Sequence, residues 1–253
     1  MAPSKNTHLA PRKNPDQLEP APADEAREIP VRREELAVHV KPRSQVAEQF
    51  RSLRNAVHAM NPDGASHTLV MTSALSGEGK SVACLNLALA LCELPGIQVL
   101  VVDADLHEPS MERYLDLPRR QGLTEVLTGT LAIGAAIRKT SVKGLSVMSA
   151  GAQPKNSSEL IGSERMKTVL NALRQRFSYV LIDTPQALTI SDASQLGAIA
   201  DGVLMVVRLG YTPRHYVEQT VNTIEALGGN ILGTCLTDAS IVDTAEGYGQ
   251  RSK

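Results

Sequence analysis

Thr72-Ser73-Ala74-Leu75-Ser76-Gly77-Glu78-Gly79-Lys80-Ser81 is the stretch on which the reading of this chain turns. A hydrophobic run, His67 to Met71, leads into it, and from Val82 to Cys92 apolar residues recur at helical spacing. The order is strand, tight loop, helix. Residues 74–81 fit the phosphate-loop pattern GxxxxGK(S/T), with Ala74 where the first glycine usually stands. Gly77 and Gly79 allow the backbone to turn its N–H groups inward, and the helix start adds its own, which together make a nest for phosphate. In that pattern Ser76, Gly77, Glu78, Gly79, Lys80, Ser81 and Val82 surround the anion. Lys80 reaches the outer phosphates and the Ser81 hydroxyl reaches a magnesium ion. The competing reading is an ordinary Gly/Ser turn before a helix, and the rest of the chain decides between them.

A chain of 253 residues suits one α/β domain with tails, or two small domains. The net charge of −1 supplies no basic field for nucleic acid. The three cysteines, Cys84, Cys92 and Cys235, lie in apolar periodic stretches without metal-ligand spacing. They read as small core residues of a reducing compartment. No stretch has the apolar length of a membrane span and no apolar signal core opens the chain. The expectation is therefore a cytoplasmic protein, associated with the inner face of the membrane through a partner.

Residues 1–35 carry Pro3, Pro11, Pro15, Pro20, Pro22 and Pro30 among Ala, Lys and Glu, a composition that cannot bury enough apolar surface to order itself. They read as a disordered tail, 36–240 as the folded domain and 241–253 as a flexible tail. Leu36 to Val40 alternates weakly and suggests a short edge strand. Ser44 is the expected N-cap of a helix with Val46, Phe50, Leu53, Val57 and Met60 on one face. On that helix Glu48, Arg51 and Arg54 form a slanting stripe, readable as a solvated face with an intrahelical pair.

Ile97 to Val102 is nearly continuous in apolar residues, the mark of a strand buried on both faces. It ends in Asp103-Ala104-Asp105, carboxylates placed where open α/β sheets bind ligands; helix capping by Asp105 is the structural alternative. Gly122 to Ile137 reads as one or two short helices, Leu145 to Ser149 as a strand, and the run from Ser157 or Ser158 through Leu173 as one long helix. Tyr179 to Asp183 is a second buried strand ending in a carboxylate, the Walker-B pattern, whose Asp holds the magnesium shell. Ser191 to Ile199 reads as a helix, Gly202 to Arg208 as a strand, Thr212 to Leu227 as a helix and Asn230 to Leu236 as a last strand. Strands alternating with helices predict an α/β protein of the P-loop NTPase fold, a mostly parallel sheet with helices on both faces.

Taken together, Ser76–Ser81, then Val101-Val102-Asp103-Ala104-Asp105-Leu106-His107-Glu108-Pro109, then Leu181-Ile182-Asp183-Thr184-Pro185 resemble the motifs of the bacterial tyrosine autokinases, the BY-kinases of capsule and exopolysaccharide export. Glu48-Gln49-Phe50-Arg51-Ser52-Leu53-Arg54 is similar to their ExxRxxR oligomerisation motif, and the resemblance runs from about residue 44 to 238. It implies ATP and Mg²⁺ as cofactors, with Lys80, Asp103, Asp105 and Asp183 catalytic. Ser81, Asp103 and Asp183 would organise the metal, and Asp103 or Asp105 would assist deprotonation of the incoming tyrosine hydroxyl. It also implies a membrane-anchored polysaccharide co-polymerase as activator and an ATP-dependent homo-oligomer assembled through Glu48, Arg51 and Arg54. Leu75 stands where the related partition and septum-site ATPases carry a signature lysine, which argues against that branch.

The chain departs from the family at His107, where Arg is usual, at Gln186, where a second Pro follows Asp-Thr-Pro, and at Thr237, near where an Asn meets the adenine. Its tail carries one tyrosine, Tyr248, in place of a cluster. Two function classes follow. One is an ATP-dependent protein-tyrosine autokinase that regulates polysaccharide export, with Tyr248 as acceptor. The other is an ATP-binding regulatory module of the same machinery with little kinase activity.

Overall fold

The computed structural model describes residues 33–239. The expected tails, and Tyr248 with them, lie outside that range apart from residues 33–35. At its start Arg33 pairs with Asp116 at 2.6 Å.

Seven strands of the described residues form one sheet: β1 (His67–Ser73), β2 (Val99–Asp103), β3 (Ile137–Lys139), β4 (Leu145–Met148), β5 (Tyr179–Asp183), β6 (Gly202–Arg208) and β7 (Ile231–Thr237). Their order is β3-β4-β2-β5-β1-β6-β7. Every neighbouring pair is parallel except β3 with β4. Among the described residues ten helices connect and cover the strands: α1 (Ala37–Val40), α2 (Gln45–Ala59), α3 (Lys80–Cys92), α4 (Met111–Tyr114), α5 (Leu123–Leu127), α6 (Ile133–Ala136), α7 (Ser157–Ile161), α8 (Glu164–Arg174), α9 (Asp192–Gly197) and α10 (Arg214–Ala226).

Alternate residues of the central strands enter two different cores. Leu69, Met71, Val99, Val101 and Leu181 pack with α2 and α3, whereas Val70, Leu100, Val102, Val180 and Ile182 pack with α7, α8 and α9. Burial on both faces is why these strands read as unbroken apolar runs rather than as alternation. β1 lies between β5 and β6, so the loop leaving its C-terminal end is flanked by the ends of both.

Besides the short helix α4, which the sequence reading left unassigned, three places differ. Ala37–Val40 is a helical turn, not an edge strand. Its backbone is claimed by Asn86 of α3, fully buried, whose Oδ1 accepts from Val38 N at 3.1 Å and whose Nδ2 donates to Glu35 O at 2.8 Å. The expected long helix from Ser157 is two, α7 and α8, broken at Gly162-Ser163. Gly162 packs closely under α9, where a Cβ would lie 2.2 Å from Gln195 Oε1 and displace that side chain. Ser163 then caps α8 through Met166 N. The third is β3, too short to show a period, which turns back antiparallel onto β4 as a sheet edge. Ser44 caps α2 as expected, its Oγ accepting from Ala47 N at 3.2 Å.

Candidate active site

The phosphate loop owes its shape to two left-handed glycines. Gly77 has φ of 78° and Gly79, the N-cap of α3, has φ of 88°. That conformation is strained for any residue with a Cβ. Ala74 replaces the first glycine without such strain, since it is not among the residues of positive φ; it is fully buried and packs with Met205 and Val207. Ser76 and Gly77 are exposed, and Lys80 is 9% exposed at the first position of α3. Exposed N–H groups at a left-handed loop and a helix start form an anion site by geometry alone.

Glu78 faces the other way. Its carboxylate is fully buried: Oε2 accepts from Leu75 N at 2.7 Å, and Oε1 accepts from the Thr212 hydroxyl and from Arg208 N at 3.5 Å. The Glu78 carbonyl accepts from the Thr237 hydroxyl at 2.7 Å. Glu78 therefore belongs to the phosphate-loop motif, but its side chain clamps the loop to the end of β6 and its carbonyl to the end of β7. Thr237, one of the departures, serves that clamp. Thr212 is a residue that sequence reasoning missed, because the partner lies 134 positions away.

On the opposite flank parallel register sets Asp103 of β2 beside Asp183 of β5. Ser81 donates to Asp183 Oδ2 at 2.6 Å, and Ser110 donates to Ser81 Oγ at 2.7 Å. Asp183 Oδ1 is buried with no hydrogen-bond partner among the described residues. Burial pushes the Asp183 carboxyl up to about 7, against the Ser81 hydrogen bond and the Lys80 charge, with Asp105 adding repulsion. Burial, then repulsion from Asp183, pushes Asp103 well above the usual carboxylate range. Two carboxylates both held toward the protonated form call for a cation.

Asp103 Oδ2 accepts from Ser110 N at 3.0 Å and Met111 N at 2.9 Å, and its Oδ1 accepts from Asp105 N at 3.2 Å. So Asp103, not Asp105, holds the start of α4. Asp105 uses only Oδ1, which accepts from His107 N at 3.2 Å and Glu108 N at 2.9 Å. The His107 ring lies on the fully buried Asp192 at 3.2 Å and on Ser157 Oγ at 3.0 Å, tying the segment after β2 to α7 and α9.

The donor set fits Mg²⁺: an orphaned buried carboxylate oxygen, a serine hydroxyl and a second carboxylate are hard oxygen ligands. Among the described residues no three His, Cys, Asp or Glu side chains form a metal cage. An ion that keeps waters and takes one or two carboxylates needs none.

Glu48, Arg51 and Arg54 come together on α2 but also reach beyond it. Arg51 grips Glu93 with Nε and Nη2, both at 2.8 Å, and Glu48 with Nη1 at 2.6 Å; Arg54 Nη1 meets Glu93 at 2.9 Å. The Arg51 hydrogen bonds hold the Glu93 carboxyl below its usual range. Glu93 was missed by the sequence reading. Its signal is an acid at the C-terminal end of α3, against the helix dipole, which implies an outside cation.

The sequence matches the AAA domain family over residues 66–232. It is 31% identical over 209 residues to tyrosine-protein kinase YwqD of Bacillus subtilis, a match covering 83% of this chain and 87% of that one. It is 32% identical over 211 residues to the succinoglycan biosynthesis transport protein ExoP of Rhizobium meliloti, covering 82% of this chain but 27% of ExoP. The fold superposes on the kinase domain of the Escherichia coli tyrosine kinase ETK with a TM-score of 0.76 at 27% identity, covering 87% of this chain and 86% of that one. No helix of the described residues is long and apolar enough to cross a membrane.

Proposed function

The chain belongs to the bacterial tyrosine-kinase family of P-loop proteins, and from that premise we propose that it is an ATP-dependent protein-tyrosine autokinase that regulates exopolysaccharide or capsule synthesis and export. The observation that carries the reading is the pairing of Asp103 with Asp183 across β2 and β5, with the Ser81 hydroxyl on one of them. The name of ExoP supports the polysaccharide context.

In this reading the backbone N–H groups of Gly77–Ser81 and the Lys80 ammonium hold the nucleotide phosphates. Ser81, Asp103 and Asp183 hold Mg²⁺, which supplies charge neutralisation at the transferred phosphoryl group. Asp103 has both oxygens committed to backbone donors, whereas both hydrogen bonds to Asp105 fall on Oδ1. Asp105 is thus the better placed to take the proton of an incoming tyrosine hydroxyl. The acceptor from the tail is Tyr248. A membrane-anchored co-polymerase is the activating partner, and Glu48, Arg51 and Arg54 carry the contact between copies in an ATP-dependent oligomer.

The single tail tyrosine favours a second reading, a nucleotide-dependent regulatory module without phosphoryl transfer. Incubation with radiolabelled ATP and Mg²⁺, followed by phosphosite mapping, separates the two. The kinase reading expects phosphotyrosine that disappears in Asp105→Asn while nucleotide binding persists. Nucleotide binding with no phosphotyrosine in the wild type is the result that establishes the regulatory module instead.

A further inference from the structure

The kinase reading leaves one exposed tyrosine of the described residues unused. Tyr211 lies between β6 and α10, 51% exposed. Tyr179 is 1% exposed, and Tyr114 and Tyr216 are partly buried against the core. Tyr211 is therefore the exposed tyrosine of the described residues. Its hydroxyl donates to the carbonyl of Ser76, in the phosphate loop, at 3.5 Å. The Arg208 guanidinium lies 5.3 Å from its ring centre and pairs with Asp238 at 3.0 Å. The next residue, Thr212, holds Glu78 in the clamp described above.

We propose that Tyr211 is a second phosphoacceptor, modified by another copy of this chain, and that its phosphorylation weakens nucleotide binding at the adjacent phosphate loop. The proposal rests on the kinase reading. In the step, the Tyr211 phenol oxygen forms a bond to the γ-phosphorus of ATP held by the other copy. The bond from that phosphorus to the β–γ bridging oxygen breaks, ADP leaves, and the phenol proton passes to a carboxylate of that copy and then to water.

Phosphorylation removes the donor that meets Ser76 and sets acceptor oxygens against a carbonyl oxygen. It also places close to two negative charges beside the loop that receives the nucleotide's own phosphates. Arg208 is the nearby cation that re-pairs with the phosphate. In doing so it gives up Asp238 and pulls on the segment that carries Thr212. Each of these changes disfavours a loaded phosphate loop, so the modification acts as a brake.

The test mixes wild-type chain, as donor, with Lys80→Met chain, as an acceptor deficient in nucleotide, in ATP and Mg²⁺, and maps phosphotyrosine on the acceptor by mass spectrometry. Phosphotyrosine at position 211 of the acceptor is expected. Phosphotyrosine confined to other tyrosines overturns this inference and leaves the kinase reading intact, whereas its absence from both chains overturns both. The second measurement is ADP affinity of the phosphorylated wild type before and after phosphatase treatment. Treatment should raise affinity about tenfold, within the usual range of coupling between two sites. The exposed Tyr211→Phe chain should show no such gain, and an equal gain in that variant overturns the proposed brake.

Discussion

Two buried acids stand on opposite sides of the same loop and are treated in opposite ways. Glu78 has every close neighbour donating to it: two backbone N–H groups and a threonine hydroxyl. Asp183 has one hydroxyl on one oxygen and nothing on the other, with a second carboxylate beside it. A buried carboxylate that is fully hydrogen-bonded is a structural anchor; one left half-satisfied stores a demand for a ligand. The phosphate loop is thus clamped rigidly on the β6 side and left electrostatically incomplete on the β2–β5 side. That asymmetry lets the loop keep its shape while it waits for a cation and a phosphate.

The largest effect should come from titrating the incomplete side. Asp183 has a folded pKa near 7, above the roughly 4 of a carboxyl in the unfolded chain, so the folded state binds the extra proton between those values. The Asp183 contribution to metal-free stability is therefore fully present below about pH 4 and is lost as pH rises toward 7. Asp103 adds to the same trend, and Glu93, shifted the other way, opposes it. Subtracting the profile of Asp183→Asn isolates the term. A melting-temperature difference between the two chains that stays flat from pH 4 to 7 would show that Asp183 is not held as described.

The clamped side gives the next effect. Glu78→Ala leaves the N–H of Leu75 and of Arg208 and the Thr212 hydroxyl without their acceptor. Each lost partner costs on the order of 1 kcal/mol or more, so denaturant unfolding should show about 3 kcal/mol of destabilisation. Thr212→Val should cost about a third of that. Equal stability of Glu78→Ala and wild type would remove the anchor from the comparison.

How much of this asymmetry the sequence foretold depends on whether its cause is local. The phosphate loop, the buried strands and the carboxylates at their ends are written in adjacent residues, and they were legible. The inward turn of Glu78 was not, since its partners Thr212 and Arg208 come from a strand and loop far along the chain. The same holds for Glu93 under Arg51 and Arg54. Ala37–Val40 misled because Asn86, an interior residue of another helix, chose its conformation. The break at Gly162-Ser163 was locally written, as a small residue followed by a capping serine, yet the apolar periodicity ran across it.

Smaller effects sharpen the comparison at its edges. Lys80→Met should lower nucleotide affinity about tenfold or more, roughly 1.4 kcal/mol, with an unchanged circular dichroism spectrum. Affinity equal to wild type would move the phosphate site away from this loop. On α2, replacing Glu48, Arg51 and Arg54 together by Ala should abolish any higher oligomer formed with ATP and Mg²⁺. Glu93→Gln removes only the charge that meets the two arginines within the chain. Light scattering should then find the oligomer lost in the triple variant and kept in Glu93→Gln; loss in both would assign the stripe to holding α2 on α3.

The most direct measurement is calorimetry of ADP binding with and without Mg²⁺, in the wild type and in Asp183→Asn. Asparagine keeps an oxygen for Ser81 but removes the charge that calls for the cation. The account predicts that Mg²⁺ strengthens ADP binding in the wild type and that most of this gain disappears in the variant. An undiminished gain in Asp183→Asn would contradict it.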